Sequence, residues 1–433
     1  MRGELPLNKR LRKILGGVSL MAGLFSSTVV YAQTNLYELT TKAGYSVNQQ
    51  DTPKSSVVID ADSGQILWEE NAQEKRDPAS LSKLMSAYLV FEAIQQGKLS
   101  VDATITATQM HQNMSQLWEL SNTTIIAGQE YSIRELLLMT LMSSSNVASM
   151  MLAEKISQGD WETFVSQMNQ KAADFGMNNT RFADPSGATF DSYTTVMSVP
   201  TNLQHKGNIS TARDLAILSY RLLSDYPSVL DYTKHVSITV GQQTSFPETL
   251  QATNYSLEGA LYGVSGVDGL KTGSSPEAGY NYIATAKREN LRVIEVILGV
   301  SQFENENGKY IRHYFGNALL EHIFQTYEKR ELVAAGTYAV GDSEVAIGQS
   351  VEGVVEKNVQ TTFSLEHNQL TIYPSYDNIF GKKPHIISVV NLTEQRAHEE
   401  RLQQEQRIKI ITFVALSILG VVIVVMIFKK KRK

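Results

Sequence analysis

Nineteen consecutive uncharged residues, Ile410 to Phe428 ("IITFVALSILGVVIVVMIF"), constrain this chain more than any other feature. Such a run is just long enough to cross a bilayer as a helix. The basic stretch Lys429 to Lys433 follows it. Positive residues stay on the cytoplasmic side, so the expectation is a transmembrane helix (410–428), a cytoplasmic basic tail (429–433), and everything before Ile410 outside. The alternative for such a run is a buried core helix.

The other end makes a matching demand. Lys9, Arg10, Arg12 and Lys13 precede an apolar run from Ile14 to Phe25, and "SSTVVYAQ" sets Val30 and Ala32 before Gln33. That is the layout of an export signal peptide (1–32), cleaved after Ala32. An uncleaved anchor helix is the alternative, although glycines and hydroxyls interrupt the run. The chain holds no cysteine, which removes disulfides and thiolate chemistry and fits an exported protein that folds without oxidative staples. A net charge of −5 gives no reason to expect a nucleic-acid partner.

Between the ends, 433 residues with 42% apolar and 19% charged content can build two domains with proper cores. After a polar spacer (33–54), "SSVVIDADSGQILWEEN" alternates and turns at Asp62-Ser63-Gly64, as a β-hairpin does. From Pro78 to about Asp231 the pattern is helical. It includes a helix over Pro78–Ile94, a capping box at Ser132 and Glu135, and an N-cap at Ser210 or Thr211. Strands return in "VSITV", "GVDGLKTG" and "YNYIATAKRENLRVIEVILGV", and a helix around Tyr310–Tyr327 follows. This order predicts an α+β fold in which the first and last strands share an antiparallel sheet with a helical lobe inserted between them. Residues 55–330 form that unit. Short alternating runs over 331–392 predict a small β-rich domain, and 393–409 a polar helical stalk.

Within the Pro78–Ile94 helix, Ser80 and Lys83 are three residues apart and share a face. A serine hydroxyl is nearly all protonated at neutral pH, so it needs a base. Lys83 becomes one if burial disfavours its ammonium form. The competing reading is a solvated helix face, since Ser-x-x-Lys arises by chance about once or twice in a chain of this size. "MSSSN" places Ser144 and Asn146 after a strongly apolar run, where polar groups need partners or simply cap a helix. Lys271, Thr272 and Gly273 combine a cation, a hydroxyl and a bare backbone on a predicted strand, where a lone lysine would be a solvated edge charge. None of the histidines lies in a nucleophile motif, and neither Gly-x-Ser-x-Gly nor His-Glu-x-x-His occurs, so a Ser-His-Asp triad and a metal site are not indicated.

Ser80-x-x-Lys83, Ser144-x-Asn146 and Lys271-Thr272-Gly273, in that order, resemble the motif set of the penicillin-recognising serine acyl-transferases. The likeness covers roughly Ser55 to Leu392. With "STARDLA" at Ser210 and "NNTRFADPSG" at Asn178, it is closest in kind to the D-alanyl-D-alanine carboxypeptidases, the low-molecular-mass penicillin-binding proteins. The resemblance implies the penicillin-binding/β-lactamase-like transpeptidase fold and removal of the terminal D-alanine from peptidoglycan stem pentapeptides. It also implies inhibition by β-lactams, no cofactor and no metal, and a place on the outer face of the cell membrane. Carried over residue by residue, Ser80 is the nucleophile, Lys83 the base and Ser144 the proton relay. Asn146 holds the substrate amide and Lys83, and Lys271 with Thr272 binds the terminal carboxylate beside Gly273. If Lys271 does not read the carboxylate, another cation such as Arg312 must. The backbone N–H groups of Ser80 and Ser274 form the oxyanion hole. Two departures stand out: Ser274 and Ser186 occupy positions where relatives carry histidine, or histidine or asparagine. The rivals are a β-lactamase on the same motifs and a non-catalytic wall-binding or β-lactam-sensing module.

Overall fold

The computed structural model describes residues 35–431 apart from Pro200, Gln243, Ser245 and residues 382–384. The expected signal peptide and residues 432 and 433 of the basic tail lie outside the described residues. Along the chain, α1 (Leu36–Lys42) precedes the hairpin β1 (Ser55–Asp60) and β2 (Ile66–Glu70). A 3-10 turn, Ala79–Ser82, leads into α2 (Lys83–Gln95). The helical lobe continues with β3 (Thr104–Thr106), α3 (Gln109–Ser115), β4 (Glu130–Ser132), α4 (Ile133–Leu141), α5 (Asn146–Ser157) and α6 (Trp161–Asp174). It closes with α7 (Ala212–Asp225), α8 (Leu230–Thr233), β5 (Ser237–Val240) and β6 (Glu248–Gln251). Strands β7 (Val267–Ser275), β8 (Gly279–Arg288) and β9 (Leu291–Val300), and helix α9 (Gly308–Thr326), complete this part.

The main sheet has the order β2-β1-β9-β8-β7, so the first hairpin and the last strands do share one antiparallel sheet, with the helices inserted between them. Both of its faces are covered, which is why β8 and β9 carry apolar residues almost without a break. Val57, Ile59, Ile283, Ile294 and Val296 face the helical lobe, while Val58, Val293, Ile297, Tyr282 and Ala284 face α9. Each such aliphatic side chain, fully buried, contributes about 1.5–3 kcal/mol. Strand β7 is an edge, so one side of its backbone is free to meet an extended chain.

Three expectations need correction. The stretch read as a polar spacer, 33–54, carries α1, whose Leu36 and Leu39 are buried in the core beneath α9. Tyr45 stacks on Tyr314 of α9 at 5.2 Å between ring centroids. Two leucines three apart bury one face of a seven-residue helix, too short a stretch for apolar periodicity to stand out. The helix expected from Pro78 does not start there: Ala79 takes a φ of +47°, outside right-handed helical geometry, and the α-helix begins only at Lys83. The boundary drawn at 330/331 falls inside β10 (Tyr327–Val333), because that strand leaves α9 without an intervening loop.

The β-rich segment adds β11 (Gly336–Val340), β12 (Ser343–Ile347), β13 (Val351–Glu356), β14 (Thr362–Glu366), β15 (Gln369–Tyr373), β16 (Ile386–Ser388) and β17 (Val390–Asn391). It has its own core around Val345, Val355, Leu370 and Ile372. The β1–β2 turn docks on it. Ile66 N–H donates to Asp377 O at 2.8 Å and Asn378 Nδ2 to Ser63 O at 2.6 Å. Gln65 Nε2 reaches Val354 O at 2.8 Å. Gly64, at a φ of +74°, leaves room for Phe380, whose ring a Cβ there would approach to 3.0 Å. Finally α10 (Leu392–Lys430) runs as one helix through both the expected stalk and the expected span, N-capped by Asn391 Oδ1. It is long and apolar enough to cross a membrane, with a mean hydropathy of 3.1 over its most apolar window and none of that window buried.

Because Leu36 is fully buried, Leu36→Ala should lower the stability of the sheet-and-helix unit by about 2–5 kcal/mol. Urea unfolding followed by tryptophan fluorescence measures this; an unchanged midpoint would return residues 33–54 to the status of a spacer.

Candidate active site

The 3-10 turn that carries Ser80 is held from three sides. Asp77 accepts from Ala79 N–H at 2.8 Å through Oδ1 and from Ser275 Oγ at 2.6 Å through Oδ2. Asn281 Nδ2 donates to the Asp77 carbonyl at 2.9 Å. These bonds tie the turn to β7 and β8. Two glycines let other segments press against it. A Cβ on Gly273 of β7 would lie 2.9 Å from Pro78 O and 3.1 Å from Ser80 N, and one on Gly187 would lie 2.0 Å from Ala79 O. Gly187 also sits at a φ of +86°, where an L side chain is strained.

Lys83 opens α2 and is fully buried. Its Nζ lies 2.9 Å from Ser80 Oγ, 2.7 Å from Asn146 Oδ1 and 2.6 Å from Ser186 O. Burial lowers its pKa to about 7, against the opposing pull of Asp184. In the neutral amine two N–H bonds serve Asn146 and Ser186, and the lone pair is left to accept the Ser80 hydroxyl proton. Asn146 is the first residue of α5, capped by Ser145 Oγ, and its Nδ2 donates to Ser121 O at 2.9 Å. Ser144 lies just before this cap at a φ of +62°, in the tight turn that joins α4 to α5.

Behind Lys83, Asp184 accepts from the N–H groups of Ser186, at 2.8 Å, and Gly187. Burial raises its pKa to about 6, and these two backbone bonds oppose the rise. Pro185 O accepts from Ser86 Oγ at 2.6 Å and from Ser149 Oγ at 3.0 Å, so α2 and α5 both grip the same loop.

On β7, Lys271 is buried, with Nζ donating to Thr272 O at 2.8 Å. Burial pushes its pKa well down, and Lys83 and Arg312 push it further. Thr272 Oγ1 lies 2.6 Å from Thr253 Oγ1. Arg312 of α9 places Nη1 3.2 Å from Ser274 Oγ and 3.3 Å from Gly273 O. Burial lowers its pKa to about 10, so it stays charged at neutral pH.

The structure therefore brings Ser80, Lys83 and Asn146 into direct contact and sets Lys271, Thr272, Gly273 and Ser274 on the edge strand beside the Ser80 turn. Three groups went unrecognised in the sequence. Asp77 and Asp184 act through backbone N–H groups, and no side-chain spacing announces that. Thr253 meets Thr272 from the loop after β6, 19 residues earlier, with no pattern to link the two. Arg312 was named only as a fallback cation, since a basic residue on a helix is commonplace.

With this geometry established, comparison with known proteins decides the family. A family model described as D-alanyl-D-alanine carboxypeptidase matches residues 42–302. The chain belongs to that family. D-alanyl-D-alanine carboxypeptidase DacF of Bacillus subtilis is 32% identical over 64% of this chain, and the match spans just under two thirds of that relative, 64% of its length. A peptidoglycan synthesis regulatory factor (PBP3) from Streptococcus pneumoniae shares the fold with a TM-score of 0.65, at 26% identity over 78% of this chain and 98% of that one. Penicillin-binding protein D2 from Listeria monocytogenes, solved in its ampicillin-bound form, is 31% identical over 64% of this chain and 100% of its own, with a TM-score of 0.51. The penicillin-binding fold expected from the motifs is thus the fold of this D-alanyl-D-alanine carboxypeptidase family member.

Gly187→Ala tests the clasp on the Ser80 turn. The added methyl cannot coexist with Ala79 O at 2.0 Å, so the variant should lose roughly 2–4 kcal/mol of stability. Thermal unfolding reads that loss, and a variant as stable as the parent would show that the turn yields freely.

Proposed function

We propose that this protein is a serine-type D-alanyl-D-alanine carboxypeptidase that removes the terminal D-alanine of peptidoglycan stem pentapeptides and is acylated by penicillin. The observation that carries this is the buried Lys83 amine, in contact with the Ser80 hydroxyl and with two acceptors, Asn146 Oδ1 and Ser186 O. Ser80 Oγ attacks the carbonyl of the penultimate D-alanine while Lys83 Nζ takes its proton. The tetrahedral oxyanion is held by the N–H groups of Ser80 and Ser274. Collapse breaks the peptide bond, Ser144 passes a proton to the leaving amine, and D-alanine departs from an ester on Ser80. Water, deprotonated in turn, attacks that ester and frees the enzyme. Asn146 holds both the substrate amide and Lys83.

The free carboxylate of the substrate belongs at the Thr272 hydroxyl and the Arg312 guanidinium, with Lys271 behind them. Arg312 is the better charge there, because burial pushes the Lys271 pKa well down while the Arg312 guanidinium, lowered to about 10, stays protonated at neutral pH.

The flanking segments supply location. Residues 1–32 serve as the export leader, α10 anchors the protein through 410–428, and the basic tail faces the cytoplasm with the catalytic unit outside. The β-rich segment and the first part of α10 stand between the anchor and the catalytic unit.

Penicillin acylation tests the base. Lys83 is neutral above its pKa of about 7 and protonated below it, so the acylation rate should be flat in mild alkali and fall about tenfold per pH unit well below 7. Ser80→Ala should give no adduct by mass spectrometry, and Lys83→Arg almost none, because a guanidinium does not deprotonate. A pH-independent rate, or normal acylation of the arginine variant, would remove Lys83 from the mechanism.

Amidating the substrate carboxylate should cost about ten- to hundredfold in kcat/KM, the worth of a hydrogen bond to a charged group. Arg312→Gln should cost a similar factor on the free acid and little more on the amide. Multiplicative losses would place the carboxylate elsewhere.

A further inference from the structure

The cleft that opens on Ser80 extends well past the reacting atoms, with a volume of about 870 Å³. It is lined by Ser274 and Ser275 at the end of β7, by Pro276 and Glu277 just beyond it, and by the segment that carries Arg181, His205 and Lys206. Thr272 and Arg312, proposed to hold the substrate's C-terminal carboxylate, adjoin Ser274 of the cleft, Thr272 two residues earlier on β7 and Arg312 Nη1 3.2 Å from Ser274 Oγ. An extended peptide laid antiparallel on the edge strand β7 has its C-terminus there and its upstream residues towards Glu277. The far end of the cleft is therefore the acyl side of the scissile bond.

That end carries an unbalanced charge on one wall. Two short backbone ladders fix the wall. Arg76 and Ser210 exchange N–H···O bonds of 2.8 and 2.9 Å, and Arg181 and Ile209 do the same at 2.8 and 2.9 Å. Arg76 is answered by Glu74 at 2.6 Å and Lys75 lies within the electrostatic reach of Asp214, while the Asp191 carboxylate, which accepts from the His205 backbone N–H at 2.9 Å, stands on the same wall and offsets part of its charge. Arg181 and Lys206 have no ion-pair partner among the described residues, and the Arg181 guanidinium donates to Gly207 O at 2.9 Å. Of the carboxylates around the cleft, Asp77 is occupied by the Ser80 turn, while Glu119 and Glu277 stand on the other walls.

We propose that Arg181 and Lys206 form a subsite for a carboxylate on the acyl side of the scissile bond, such as the free α-carboxylate of a γ-linked glutamate upstream of the diamino acid. This rests on the carboxypeptidase reading and narrows its substrate class to stem peptides with an acidic, unamidated upstream residue. The ammonium of the diamino acid side chain would meet Glu119 or Glu277 on the other walls, so the cleft sorts the two charges of such a peptide. Both cations are exposed, so the preference is moderate and sensitive to salt.

The test uses the full chain in detergent and two synthetic peptides, acetyl-γ-D-Glu-L-Lys-D-Ala-D-Ala with the glutamate α-carboxylate free or as the carboxamide. D-alanine release should favour the free acid about three- to tenfold in kcat/KM at low salt, and the ratio should shrink towards one at high salt. In the double variant Arg181→Gln, Lys206→Gln the ratio should fall close to one, with penicillin acylation of Ser80 confirming a folded site. A ratio of one in the parent protein, or a preference that survives the double substitution, would overturn the subsite while leaving the carboxypeptidase reading intact. Absence of D-alanine release from both peptides, with Ser80 still acylated by penicillin, would overturn that reading and the subsite with it.

Discussion

A lysine amine buried to zero exposure is the constraint around which the rest of this protein is arranged. Removing an ammonium from water costs several kcal/mol unless the charge is answered or given up. Here burial lowers the pKa to about 7, so the charge is readily given up near neutral pH. Once neutral, the amine has two protons and one lone pair, and the protein provides two acceptors and one hydroxyl, each from a different segment. Ser80 comes from the turn before α2, Asn146 from the start of α5, and Ser186 from the loop before α7. The helical lobe thus brings two oxygens from distant parts of the chain, and one from the neighbouring turn, to a single nitrogen.

The sheet contributes a different kind of precision. Strand β7 is an edge strand that lies against the Ser80 turn closely enough to forbid a side chain at Gly273. An extended peptide added to such an edge is aligned by its own backbone. In the mechanism proposed above, its scissile carbonyl falls opposite Ser80 and its end near Thr272 and Arg312. Asp77 joins the two parts, since one oxygen holds the Ser80 turn and the other holds Ser275 of β7. A change in strand position is in this way felt at Ser80.

Much of this was legible in the sequence, for identifiable reasons. Strands β8 and β9 announce themselves as long apolar runs joined by a polar turn, and the capping box at Ser132 and Glu135 is present as read, with Glu135 Oε2 accepting from Ser132 N–H at 2.9 Å. The three motifs were visible because each pairs residue types that seldom serve packing. What stayed hidden was whatever acts through the backbone or across long separations. The left-handed Ala79, the carboxylate of Asp184 bound to two N–H groups, and the meeting of Thr253 with Thr272 leave no periodic trace. Helix α1 was missed for a simpler reason, because two buried leucines in seven residues look like any polar linker with occasional apolar positions.

A base in such a site must satisfy two opposed demands: it must be neutral at rest and yet be stable once it has taken a proton. Burial meets the first and would defeat the second. Asp184 resolves the conflict. It is buried itself, and its Coulombic pull on Lys83 opposes desolvation without overcoming it. The N–H groups of Ser186 and Gly187 keep its own pKa from rising beyond about 6, so the carboxylate is mostly ionised where Lys83 is half protonated. In the proposed mechanism, once Lys83 has taken the Ser80 proton, the new ammonium finds the negative charge of Asp184 already in place. The Asp184–Gly187 loop therefore does three things with a few residues: it accepts from the resting amine, it supplies the counter-charge for the protonated one, and through Gly187 it closes on the turn that holds the nucleophile.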